Sequence, residues 1–138
     1  MITKKDVDEL SYAVIGAAIE VHKELGPGLL ETVYHHCMKF ELSLRKINYQ
    51  SELIVPVFFK GHQLDAHLRC DLFVENLLAV ELKAVEIMPP VFDAQLLTYM
   101  RLLEAPKGVL INFASANLFK YGQKTFVNHH YRNLPDGK

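Results

Sequence analysis

The run Arg69-Cys70-Asp71-Leu72-Phe73-Val74-Glu75-Asn76-Leu77-Leu78-Ala79-Val80-Glu81-Leu82-Lys83-Ala84-Val85 decides how the chain is read. Its two halves are rich in residues that fit a pleated, buried surface. Asn76-Leu77 interrupts them as a short connection, so residues 69–75 and 78–85 read as paired strands. Three ionisable groups, Asp71, Glu81 and Lys83, stand inside these apolar strands, and charge at such positions needs a reason. Alternation at period two puts Glu81 and Lys83 on one face, with Val80, Leu82 and Ala84 on the other. If the connection is a three-residue loop, Asp71 lies across from Glu81 or Lys83, and either register gathers the three β-carbons within roughly 5 to 8 Å.

Upstream, Ile54, Val55, Val57, Phe58 and Phe59, the Lys60-Gly61-His62 turn and Leu64 to Leu68 read as a hairpin. Pro56 removes an amide donor and places the first of these strands at an edge or at a bulge. Before the hairpin, apolar residues from Val7 to Leu25 recur at three and four, which predicts a helix. Gly26-Pro27-Gly28 stops it, and a second helix fits residues 29 to 46. Downstream, Pro89-Pro90 opens a helix through Asp93, Gln95, Leu96, Tyr99, Met100 and Leu103. The nearly unbroken apolar run Gly108 to Phe113 predicts a strand covered on both faces. Gln123 to Val127 is a candidate last strand, and residues 129–138, polar with Pro and Gly, read as a loose tail. The order ααββββαβ(β) predicts an α/β or α+β fold, helices against a central mixed sheet, with the 109–113 strand parallel to a member of the preceding meander.

With 138 residues, 50% hydrophobic and 22% charged, residues 1–138 read as a single domain, so any activity sits in one small fold. Cys37 and Cys70 are too few for a disulfide framework and read as packing residues. No apolar run approaches the roughly 18 residues of a membrane span, and Lys4, Lys5, Asp6, Asp8 and Glu9 stand where a leader would be apolar; the expectation is a cytoplasmic protein with no membrane partner. Fifteen Lys plus Arg against 16 Asp plus Glu exclude a global basic field. A local basic face drawn from Lys39, Arg45, Lys46, Arg69 and Arg101 stays open, and its sparseness points to a homodimer in which two copies double it.

Two converging carboxylates repel unless a proton or a cation intervenes. Asp71 and Glu81 suit a hard, oxygen-ligated ion, Mg²⁺ or Mn²⁺. Lys83 beside them can hold a water or stabilise charge developing on a phosphoryl group, which together describes phosphodiester hydrolysis. The plain alternative is a solvated ion pair between Lys83 and either acid, worth about 0–1 kcal/mol. Glu31 has two readings: a carboxylate meeting the free amides of a helix's first turn, or a further metal ligand swung onto the polar face, with Tyr34 one turn on to hold it or touch backbone phosphate. Gln95 and Tyr99, four apart, share a helical face; the amide can orient a water, and a solvated Gln with a core-edge Tyr accounts for the pair equally well. The seven histidines (His22, His35, His36, His62, His67, His129, His130) make no i, i+4 pair and no Cys-spaced finger, which argues against structural zinc. Gly26-Pro27-Gly28 lacks the Lys and Ser/Thr of a phosphate loop, and the aromatic residues read as core or interface, so RNA recognition is not indicated.

Gly28-Leu29-Leu30-Glu31-Thr32-Val33-Tyr34, Arg69-Cys70-Asp71-Leu72, Val80-Glu81-Leu82-Lys83-Ala84 and Ala94-Gln95-Leu96-Leu97-Thr98-Tyr99 together resemble the bacterial and archaeal GxxExxY proteins, placed among the PD-(D/E)xK nuclease-like folds. The likeness runs from about Asp8 to Val127. It implies a restriction-endonuclease-like core with Asp71, Glu81 and Lys83 at its catalytic positions, Glu31 as the helical acid and Gln95 as the following helical amide. The chain departs from the nuclease pattern at Cys70, where the pattern prefers a proline that makes no chemical contribution. The function expected is a Mg²⁺- or Mn²⁺-dependent nuclease acting on DNA before RNA. The alternatives are a noncatalytic nucleic-acid or protein interaction module that keeps the fold, and metal-assisted hydrolysis of a small phosphorylated metabolite.

Overall fold

The computed structural model describes residues 1–138, leaving out the side chains of residues 66 and 67; His67, weighed above for zinc, therefore lies outside the described side chains. The elements are α1 (Lys4–Leu25), α2 (Glu31–Leu44), β1 (Tyr49–Phe59), β2 (His62–Val74), β3 (Leu78–Lys83), α3 (Pro90–Leu103), β4 (Lys107–Asn112), α4 (Leu118–Tyr121), β5 (Gln123–Val127) and α5 (His129–Arg132). The five strands form one mixed sheet in the order β1-β2-β3-β4-β5, with β3 and β4 parallel and the other neighbours antiparallel. The expected parallel crossover is thus β3-α3-β4, and helices cover both faces. Val14, Ala17, Ala18 and Val21 of α1 and Met38 and Leu42 of α2 pack on Leu72, Val74, Val80, Leu82, Val109 and Ile111. Leu96 and Met100 of α3 pack on Phe73, Ala79 and Leu110 across the sheet. No helix among the described residues is long and apolar enough to cross a membrane.

Three expectations need correction. The predicted strands 64–68 and 69–75 are one strand, β2, so three strands and not four precede α3. No turn residue separates Leu68 from Arg69, and unbroken pairing to β1 carries the strand through. The tail 129–138 is docked rather than loose. Lys4 and Lys5 donate their amides to the carbonyls of Pro135 and Asp136 at 2.8 and 3.1 Å, and the Tyr131 hydroxyl donates to the Asp8 carboxylate at 2.9 Å. Helix α1 also begins three residues early. The Thr3 hydroxyl accepts the Asp6 amide at 3.1 Å while the Asp6 carboxylate accepts the Thr3 amide at 3.0 Å, a reciprocal cap that precedes the apolar periodicity. Pro56 lies where expected, on edge strand β1 beside a register shift between Pro56 and Phe58.

The turn from α4 into β5 depends on Gly122. A β-carbon there would sit 2.8 Å from the Asn112 carbonyl oxygen and 2.9 Å from the Leu118 α-carbon, backbone atoms that cannot retreat as a side chain would. Gly122→Ala is expected to cost about 1–3 kcal/mol, seen as a lower urea midpoint at unchanged m-value.

Candidate active site

Strand β2 pairs with β3 only through Leu72–Val80, Phe73–Ala79 and Val74–Leu78, then continues along β1. Extending that register sets Asp71 opposite Glu81, where the two strands part. Side-chain alternation breaks at the same place. Leu68 and Cys70 pack with Phe73 toward α3, while Leu72 and Val74 pack toward α1 and α2. Glu52, which faces Asp71 in the β1 register, has φ of +51°, a left-handed conformation that accommodates the kink. Asp71 therefore stands at a fork, reachable from both layers of helices.

At the fork side chains take over the ladder. The Asp71 amide donates to Glu81 Oε1 at 3.2 Å, and the Leu82 amide donates to Asp71 Oδ2 at 2.8 Å. Glu81 is only 5% exposed. Burial first, then the charge and the nearness of the Asp71 carboxyl, push its pKa up to about 9, with the Lys83 charge opposing. Glu81 thus holds a proton at neutral pH when no cation is present. The anticipated ion pair with Lys83 is not formed; among the described residues Lys83 makes none. Its ammonium lies 4.2 Å from the centroid of the Phe92 ring on α3.

Glu31 opens α2 at the rim of the same fork. Burial raises its pKa, the Asp71 charge raises it further, and the Lys83 charge and the Ala84 amide lower it. The turn before α2 is fixed by Tyr34, which is fully buried. Its hydroxyl donates to the Gly26 carbonyl at 2.5 Å and accepts the Leu29 amide at 3.2 Å, and its ring stacks on Phe113 at 4.4 Å and 4°. Gly26 and Gly28 supply the φ of +70° and +104° that the turn requires. Tyr34 corrects one expectation: with no exposed surface it cannot touch phosphate, and it acts by setting the turn that presents Glu31.

On the other wall, burial raises the pKa of half-buried Tyr99, followed by the charges of Glu81, Cys70 and Asp71, while a hydrogen bond with the Arg69 backbone lowers it. Gln95 is exposed and lines with Tyr99, Thr98, Ala94 and Leu68 a shallow cavity of about 220 Å³, one helical turn from Tyr99. Cys70 is buried, donates its thiol to the Leu72 carbonyl at 3.3 Å, and is pushed up to about 12 chiefly by burial, so it packs as expected.

Two residues of the site carry no signal in the sequence. Buried Asn112, at the end of β4, accepts the Val85 amide at 3.1 Å and donates to the Val85 carbonyl at 2.9 Å, so a side chain continues the β3–β4 ladder and holds the segment after Lys83. His35, one turn after Glu31, lies with Nε2 3.0 Å from the Ser51 hydroxyl oxygen of β1. A polar residue at the end of an apolar strand and one histidine among seven are indistinguishable from surface residues by spacing.

The donor chemistry of the fork fits a hard divalent cation. Asp71 and Glu81 each commit one oxygen to an amide and keep another, and the proton on Glu81 marks a place where positive charge is wanted. No group of three or more His, Cys, Asp or Glu able to hold a metal occurs among the described residues. Two carboxylates, with water and substrate oxygen completing the shell, are what Mg²⁺ commonly accepts.

No curated protein matches the chain. A solved structure described as "Crystal structure of SSO0001" is similar, with a TM-score of 0.55 at 18% identity over 74% of this chain and 55% of that one. The chain thus spans about half the length of that structure, and the likeness concerns the fold. The pattern of the PD-(D/E)XK nuclease superfamily matches residues 8–125, a stretch that takes in both carboxylates, the lysine, strands β1 to β4 and the start of β5. By that match the chain belongs to the PD-(D/E)XK nuclease superfamily.

Proposed function

We propose that the chain is a divalent-metal-dependent nuclease of the GxxExxY kind that hydrolyses phosphodiester bonds in DNA. The observation that carries the reading is the reciprocal engagement of Asp71 and Glu81 at the strand fork, each carboxyl accepting a backbone amide from the other's strand. Asp71 and Glu81 would hold Mg²⁺ or Mn²⁺. Such an ion supplies a water of lowered pKa and polarises a phosphoryl oxygen. Lys83, fixed on Phe92 at the same fork, offsets negative charge building on the phosphoryl group. Glu31, at the rim, orients water. Tyr99 and Gln95 form the opposite wall, where a neutral amide and a phenol position substrate without adding charge. Two copies working together would double the basic surface and allow paired strand cuts.

A cleavage screen with Mg²⁺ or Mn²⁺ on duplex, single-stranded and branched DNA and on RNA tests this. The wild type is expected to cut DNA with metal and to stop with chelator, while the double replacement D71N/E81Q is inert yet folded. Retained cleavage in the double variant rejects the assignment. One observation favours a second reading, a noncatalytic binding module: both acids already satisfy backbone amides. That reading requires DNA binding indifferent to metal and no turnover of any substrate.

A further inference from the structure

We propose that His35, held by Ser51, donates a hydrogen bond to a non-bridging oxygen of the scissile phosphodiester from the α2 side of the fork. The inference rests on the nuclease reading above and assigns a substrate contact within it. Glu31 and His35 are four apart and share one face of α2. Ser51, which holds the ring at 3.0 Å, pairs in register with Leu72, the neighbour of Asp71. A helix-to-strand hydrogen bond therefore fixes the imidazole one residue from the carboxylate pair, and the Asp71 charge reaches the ring.

The second ring nitrogen is the informative atom. Nδ1 makes no hydrogen bond among the described residues, and no buried side-chain nitrogen or oxygen there lacks a partner, so Nδ1 opens to solvent. In this assignment the Ser51 hydroxyl donates to Nε2, so that the proton of the neutral ring resides on Nδ1, where an acceptor can take it. Burial holds the ring's pKa below its ordinary value. Lys83 approaches from the α3 side, where it rests on Phe92. A phosphate between the two walls would be gripped by an ammonium on one side and an imidazole donor on the other. A tie between helix and strand needs only Nε2; a donor role for the open nitrogen is what a substrate contact adds.

The test uses Mn²⁺-dependent cleavage of a DNA oligonucleotide carrying oxygen or either phosphorothioate diastereomer at the mapped cleavage position. H35A is expected to lower kcat roughly 10²-fold with KM little changed, and to erase the penalty that the wild type shows for sulfur at one of the two non-bridging positions. H35N, whose amide nitrogen can stand near Nδ1, restores at least about tenfold over H35A, whereas H35Q, which reaches toward Nε2, does not. A kcat unchanged in H35A, or a loss equal for the oxygen substrate and both diastereomers, overturns the proposal; the second result marks a purely structural tie. If D71N abolishes cleavage while H35A retains it, this inference falls and the nuclease reading stands. If the wild type cuts nothing, the nuclease reading falls and takes this inference with it.

Discussion

Replacing Glu81 with Gln is expected to abolish metal-dependent cleavage, by at least about 10³-fold, and at the same time to make the metal-free protein harder to unfold at pH 7.5. Both effects come from one carboxyl. Burial and Asp71 raise its pKa from 4.5 to about 9, so the folded protein binds a proton that the unfolded chain releases. The contribution of this group to stability is complete below about pH 4.5 and is lost as the pH rises through about 9. At pH 7.5 the penalty is on the order of 2–4 kcal/mol. Gln still accepts the Asp71 amide and has no proton to lose. The wild type should therefore lose thermal stability from pH 5 to 9 more steeply than E81Q, and Mg²⁺ or Mn²⁺ should restore it in the wild type alone, since a cation at the acid pair replaces the proton. Parallel pH–stability curves for the two proteins would count against the proton on Glu81. Cleavage by E81Q would remove Glu81 from the site.

Tyr34→Ala is expected to cost about 3–5 kcal/mol, the largest loss from any single truncation near the site. The ring is wholly buried and stacked face to face on Phe113, so its removal leaves a cavity lined by atoms that α1 and β4 hold apart. Set against a total stability of about 5–15 kcal/mol, the change removes a large share of what keeps the domain folded. Tyr34→Phe isolates the hydroxyl. It leaves the ring in place and strands the Gly26 carbonyl and the Leu29 amide, for an expected loss of about 1–2 kcal/mol. Because those two bonds set the turn that presents Glu31, cleavage by Tyr34→Phe should fall several-fold more than its stability loss explains at a temperature where it is fully folded. Urea midpoints with single-turnover rates decide the matter; a variant as stable and as active as the wild type would dissociate the turn from the site.

The core of this site is legible because charge inside an apolar strand stands out, and period two then assigns it a face. Asp71, Glu81 and Lys83 need no long-range information beyond one tight connection. Glu31 and Gln95 are different: a carboxylate at a helix start and an exposed amide on a helix have ordinary uses, and the family motif supplies what spacing cannot. The kink at Asp71 leaves no trace, because it arises where β2 exchanges one neighbour for another and its partner Glu52 takes a positive φ without being glycine. Asn112 and His35 are equally silent, since each acts through a partner 27 or 16 residues away. The docked tail depends on still more distant anchors, Tyr131 on Asp8 and Asp136 on Lys4. Periodicity reports on the environment along one element, and these features belong to the meeting of two.

The stack of Tyr34 on Phe113 also bears on how the chain can be divided. Every acid and base assigned to the chemistry lies between residues 31 and 99. A fragment ending at residue 105 would carry all of them, yet it would lack β4, whose residues flank β3 and whose exit supplies both Asn112 and the ring that backs Tyr34. Such a truncation should yield a reactive inventory without an enzyme. For the same reason a split-protein design cut in that connection, Ala105 to Lys107, would make activity report on the rejoining of its two halves.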